Sequence, residues 1–205
     1  MSENKFPSEV IDLPSGGKCY PEDSPLHSGK IEVKYMTAKE EDILTSQNLI
    51  KKGIVIDRLL DSLILTEGIT SDDLVLGDKN AVMVTARILA YGPEYTCEIE
   101  NPNGGGKFTH SFNLADCPFK ELPSDIDYST NNWEITLPAS KKKVTVKLLT
   151  GGDEKAIQKD LDATKKVSGL TSSEITTRLR YLLTSVEGDS NPSVINEFSQ
   201  NCLAR

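Results

Sequence analysis

The apolar residues change period twice along the chain, and that change restricts the fold more than any other feature. Ile56, Leu59, Leu60, Leu63 and Ile64 recur at i, i+3, i+4, i+7 and i+8, a spacing that lines one side of an α-helix. From Tyr95 the period becomes two. Tyr95, Cys97 and Ile99 share one strand face, and Phe108, His110, Phe112 and Leu114 share another. Trp133, Ile135 and Leu137, then Val144, Val146 and Leu148, repeat the alternation. Beyond residue 150 helical spacing returns. Helices, strands and helices in blocks define an α+β fold, not an alternating α/β one.

The finer reading divides the chain into three parts. Residues 1–29 are an extended arm rich in proline and glycine, which exclude a long regular element. Residues 30–150 are an α+β core with three helices and an antiparallel hairpin sheet. In it, Ile31, Val33 and Tyr35 mark a strand, and Thr37-Ala-Lys-Glu40 is a capping box opening a helix with Ile43, Leu44 and Ile50 that stops near Gly53. A helix from Asp78 to Ala90 buries Val84, Ile88 and Leu89. Asn103-Gly104 supplies the turn of a hairpin, and the four alternating runs join in one antiparallel sheet. Residues 151–205 are helical: Gly152–Lys166 with Ile157 and Leu161 inward, then a second capping box, Thr171-Ser-Ser-Glu174, whose stripe runs through Ile175, Leu179, Leu182, Leu183 and Val186. Asn191-Pro192 opens a last helix carrying Ile195 and Phe198.

Charge and composition exclude several classes. Acids outnumber bases 31 to 23, a net charge of −8, which opposes attraction of the whole protein to DNA or anionic membrane. No run approaches the roughly 18 apolar residues of a membrane span, and the start, MSENKFPSEV, has no apolar stretch of a secretory signal. Cys19, Cys97, Cys117 and Cys202 are too sparse for a disulfide scaffold and read as reduced thiols. The charge is uneven: residues 141–166 hold eight lysines and four acids, whereas residues 1–140 hold 12 bases and 23 acids. Lys141, Lys142 and Lys143 guard a strand edge against aggregation, or meet an acidic partner, another copy of the chain included.

Catalytic patterns are weak. Gly16-Gly17-Lys18 has Asp12 where a phosphate loop needs its first glycine and Cys19 where it needs Ser or Thr. His27 lies in the arm and His110 between two phenylalanines, so neither has the setting of a general base. Glu40-Glu41-Asp42 and Asp72-Asp73 suit helix starts and loops. Cys97, His110 and Cys117 lack the close ligand pairs of a zinc site. No catalytic, cofactor-binding or metal-binding residue is assigned, and no enzyme activity or cofactor is expected.

Two stretches together carry a resemblance. Leu13-Pro-Ser-Gly-Gly-Lys-Cys-Tyr-Pro21, followed by Ile31-Glu-Val-Lys-Tyr-Met-Thr-Ala-Lys-Glu-Glu-Asp-Ile-Leu44, resembles the opening of the baseplate hub assembly proteins of T-even-type contractile-tailed bacteriophages. Ile54-Val-Ile-Asp-Arg-Leu-Leu60 and Gly77-Asp-Lys-Asn80 continue the likeness, which covers residues 10–115. Several members of that family place a Cys-Pro-x-Cys-Gly knuckle at the hairpin tip. The matching residues here are Asn101, Pro102, Asn103, Gly104 and Gly105, so zinc binding is not carried over.

The resemblance implies a structural or assembly function in the tail baseplate, through contacts with other hub and tail proteins, in the host cytoplasm during assembly; it leaves open a place in the virion or a chaperone that departs before completion. Leu13, Pro14, Tyr20 and Pro21 of the arm, Glu40, Glu41 and Asp42, and the lysines at 141–143 are the expected contact residues. Deleting the arm, Phe6 to Ser28, is expected to leave a folded body. Two rival readings make other demands. A nucleic-acid module with a degenerate zinc-ribbon-like hairpin would bind through Lys141, Lys142, Lys143 and Lys147, although no nucleic acid is expected on the first reading. A hydrolase would use carboxylates or His110.

Overall fold

The computed structural model describes residues 6–102, 104–118, 120, 122–168 (166–168 for the backbone alone) and 173–202. Strand β1 (Ser8–Asp12) runs antiparallel to β2 (Lys30–Lys34), Ser8 opposite Lys34 and Asp12 opposite Lys30. Residues 13–29 between them form linked turns and a short 3₁₀ turn, Pro25–Ser28. These turns send Leu13, Cys19, Tyr20 and Leu26 into the main core beside Ile11, Ile31 and Val33. Proline and glycine forbid a long helix or strand there, but they do not forbid burial. The expectation that the arm could be deleted is therefore corrected: β2 would lose its partner and the core five buried side chains, Leu26 with no exposed surface among them.

The turns cross most closely at Gly17 and Gly29, with φ of 81° and 71°. A Cβ on Gly17 would strike the His27 carbonyl, and one on Gly29 the backbone of Gly16. Only glycine combines that conformation with that approach.

The helical block follows. The helix expected from Thr37 to Gly53 is split at Ser46, whose extended ψ of 105° ends α1 (Ala38–Thr45) and starts α2 (Gln47–Lys51). The stripe at 56–64 forms α3 (Val55–Leu63), burying Leu59, Leu60 and Leu63, with Ile64 buried just past its end, but Ile56, expected inside, is exposed. The two sides of the helix serve two clusters. Leu60 joins the main core, while Leu59 and Leu63 meet Ala86, Met36, Ile43 and Leu44. In α4 (Leu76–Tyr91) the buried residues are Asp78, Ala81, Val82 and Ala86. Leu89 packs half-buried on the main core, but Val84 and Ile88, expected inside, are only partly covered.

The four alternating runs do not form one sheet. β3 (Glu94–Glu100) and β4 (Lys107–Asn113) make a separate two-stranded ribbon. β5 (Trp133–Thr136) pairs with β6 (Lys143–Val146), and the other edge of β6 takes a strand that the helical reading of the tail concealed. This strand, β7 (Leu183–Val186), sets Val186 opposite Val144 and Leu183 opposite Val146. The open edge of β6 outweighs continuation of helical spacing, so α6 (Glu174–Leu182) stops at Leu182. Val144, Leu183, Val186 and Ile195 then enclose a small second core.

The long helix α5 (Gly151–Ser168) buries Ile157 and Leu161. α7 (Pro192–Asn201) starts as expected, Asn191 Oδ1 accepting from Ser193 N at 2.9 Å. The second capping box falls partly on Thr171 and Ser172, which lie outside the described residues. The start of α5 is tied to that of α4. Leu76 N donates to Leu149 O at 3.0 Å, and Gly151 N donates to Leu74 O at 2.9 Å.

Candidate interaction surfaces

Asp78, in the first turn of α4 and 1% exposed, organises the first surface. Its Oδ1 accepts from Ser15 N at 2.9 Å. Its Oδ2 accepts from Ser15 Oγ at 2.6 Å and Tyr20 Oη at 2.7 Å. A carboxylate at a helix N-terminus is favoured by the unpaired N–H groups there, and these donors replace the water lost on burial. The Tyr20 hydroxyl in turn accepts from Val75 N at 3.0 Å. The Leu13–Pro21 stretch is thereby bound onto the N-terminus of α4.

Beside this junction opens a groove of about 920 Å³. It is lined by Pro14 and Cys19 of the arm, by Val84 and Ile88 of α4, and by Leu114 and Leu149. The α4 side chains that the sequence assigns to a core lie here, in contact with open space. Concave apolar surfaces of this size are the usual places where proteins take up partners or ligands.

A second open surface is the β3–β4 ribbon. Tyr95 stands opposite Phe112, Cys97 opposite His110 and Ile99 opposite Phe108. Residues directly opposite share a face, so the two alternating runs combine into one aromatic face. Tyr95, Phe108 and Phe112 are 42–46% exposed, and His110 sits 4.5 Å edge-on from Phe112 between ring centroids.

The residues expected to touch partners fall into two sets. Leu13 and Tyr20 are core residues, and Glu40 is fully buried; as surface contacts all three are corrected, because each is occupied within the chain. The capping box closes on Thr37. Glu40 Oε2 accepts from Thr37 N at 2.9 Å and Thr37 Oγ1 at 2.6 Å, and its Oε1 accepts from Lys34 Nζ at 2.8 Å and Ser62 Oγ at 2.6 Å. Burial acts to raise the Glu40 carboxyl, but the bonds from Lys34, Ser62 and Thr37 outweigh it and hold the group at about 2.

Pro14 is half-buried at the groove, while Pro21, Glu41 and Asp42 are exposed; Glu41 accepts from the Tyr91 hydroxyl. Lys141, Lys142 and Lys143 are exposed. Lys143 pairs with Glu134 at 2.9 Å, Lys142 lies 5.5 Å over the Phe198 ring, and Lys147 pairs with Asp153 at 2.8 Å.

The four cysteines are free thiols. Cys97 and His110 are cross-strand partners, yet among the described residues no three His, Cys, Asp or Glu side chains converge as metal ligands. No described helix is long and apolar enough to cross a membrane.

An α+β fold with an apolar groove lined by α4 and a two-stranded ribbon of exposed aromatics is the architecture that the residues build. Residues 7–175 match the sequence model of the family described as T4 bacteriophage base plate protein. The chain belongs to that family. Searches of curated proteins and of solved structures return no match.

Proposed function

We propose that the chain helps to build the central hub of the phage baseplate and acts through protein–protein contacts, without catalysis. The observation that carries this reading is the groove beside the arm. Val84 and Ile88 have the spacing of buried helix residues, and the arm that carries the hub-protein likeness lines the same groove. Covering an apolar helix face by a neighbouring subunit would supply the burial that this chain leaves incomplete. The phage tail baseplate is the corresponding location, reached by assembly in the host cytoplasm, and the partners are other hub and tail proteins.

The test is co-expression of the full chain with the other tail proteins of its phage, followed by size-exclusion chromatography and mass spectrometry. Recovery with hub proteins is expected, and recovery with none overturns the reading. Presence in purified virions would identify a resident subunit; absence there, with hub recovery intact, an assembly chaperone.

A further inference from the structure

Two backbone bonds fix the hydrogen-bond phase of the β3–β4 ribbon. Leu114 N donates to Pro93 O at 2.8 Å at its base, and Asn101 N donates to Gly106 O at 3.0 Å near its tip. The register between them has no shift, and bonded pairs alternate along an antiparallel ladder. The bonded pairs are thus Tyr95/Phe112, Cys97/His110 and Ile99/Phe108. It follows that the backbone N–H and C=O groups of Lys107, Thr109, Ser111 and Asn113 point away from β3. Among the described residues no strand lies beyond β4 to receive them, and every residue of β4 is exposed.

We infer that this edge pairs with the same edge of a second copy, about a twofold axis at His110, giving a continuous four-stranded antiparallel sheet. A two-stranded ribbon alone is marginal in water, and β4 carries none of the usual blocks to pairing: no proline, no bulge, and one charge, Lys107, at its end. Full overlap of the strand in the bonded phase sets Thr109 opposite Ser111 of the second copy and Lys107 opposite Asn113. On the other face Phe108 meets Phe112, an aromatic pair at the close spacing of a non-bonded position. His110 meets its own copy on the axis, and no carboxylate or lysine faces another of its own sign.

The opposite edge fails the same comparison. Overlapping β3 with its own copy places Glu94 opposite Glu100 and Thr96 opposite Glu98, so acids collide at both ends. Charge therefore selects β4, and its self-complementary sequence selects a second copy of the chain. This association is independent of the hub reading and would survive the failure of that reading.

The experiment is light scattering coupled to size-exclusion chromatography on the full chain over a wide dilution series. The wild-type chain is expected to reach twice the mass of one chain as concentration rises. Thr109→Pro removes an outward N–H that β3 does not use and should leave a monomer, whereas Glu98→Pro, the same lesion on the β3 edge, should keep the dimer. A second pair of variants avoids any ambiguity from proline. Thr109→Lys with Ser111→Glu creates facing opposite charges and should dimerise. Thr109→Glu with Ser111→Glu creates facing acids and should not. A wild-type chain that remains monomeric at every concentration, or a dimer indifferent to both position-109 series, overturns the inference.

Discussion

The hydroxyl of Tyr20 donates to Oδ2 of Asp78 at 2.7 Å, across 58 positions of sequence. Burial, then the Asp78 hydrogen bond, pushes the Tyr20 pKa above the ordinary phenol value. This bond fastens the arm to α4 where both line the apolar groove. The shape of the proposed binding surface and the packing of the N-terminal segment are thus set by the same junction.

Tyr20→Phe tests it directly. The substitution keeps the ring, but Val75 N–H loses its acceptor and Asp78 one of its donors. A loss of about 1–3 kcal/mol is expected, read as a lower urea midpoint with an unchanged slope. Asp78→Ala strands the Ser15 N–H and the Ser15 and Tyr20 hydroxyls together, and its cost should be larger, about 3–5 kcal/mol for several buried donors left unpaired.

Gly17→Ala addresses the crossing of the arm turns. The added methyl group meets the His27 carbonyl at a φ of 81°, so both conformation and contact oppose it. About 2–4 kcal/mol of destabilisation should follow. By contrast, Gly53→Ala has a positive φ but open space around its Cβ, and thermal denaturation should find it the milder of the two.

Glu40 sets an acid limit. Its folded-state value of about 2 lies below the ordinary 4.5, so its contribution is complete above about pH 5 and disappears as pH falls toward 2. That interval corresponds to about 3 kcal/mol. Denaturation midpoints measured across it should fall for the wild-type chain. Glu40→Gln should be less stable at neutral pH, because the buried Lys34 loses its counter-charge, and should show a flatter response to acid.

Val84→Asp places a charge in the lining of the groove. Val84 is half-buried, so a fall in stability of about 1–3 kcal/mol is expected, and recovery is compared at a temperature at which both forms are folded. Recovery of hub partners should fall at least about tenfold, equivalent to about 1.4 kcal/mol of binding. Equal recovery of the two forms would remove the groove from the partner surface.

The α3 helix was readable in sequence because one dominant period runs through it, free of glycine and proline, and the α+β division was readable for the same reason. That the buried side chains of α3 divide between two clusters was not, since Met36, Ile43, Leu44 and Ala86 lie elsewhere in the chain. Val84 and Ile88 share the spacing of core residues, and only the fold of distant segments, Leu114 and Leu149 among them, shows that they line a groove instead. Asp78 gave little local signal beyond an acid at a helix start, since its donors lie at Ser15 and Tyr20. Leu183 and Val186 continue the spacing of Leu179 and Leu182, so the open edge of β6, far back in the chain, decided their conformation. In the arm, Leu13, Tyr20 and Leu26 were the overlooked clue: apolar side chains within a proline- and glycine-rich run need a surface to cover them.

The late strand β7 also imposes a timetable. β6 can pair with β5 as soon as both are made, but its other edge waits roughly 40 residues for Leu183–Val186. At ribosomal rates that is a delay of several seconds. During it Val144 lacks its β7 partner and the edge is open to a neighbouring nascent chain. The lysines at 141–143 lie at the start of that edge, where their charge would hold other growing chains apart until the chain's own tail arrives.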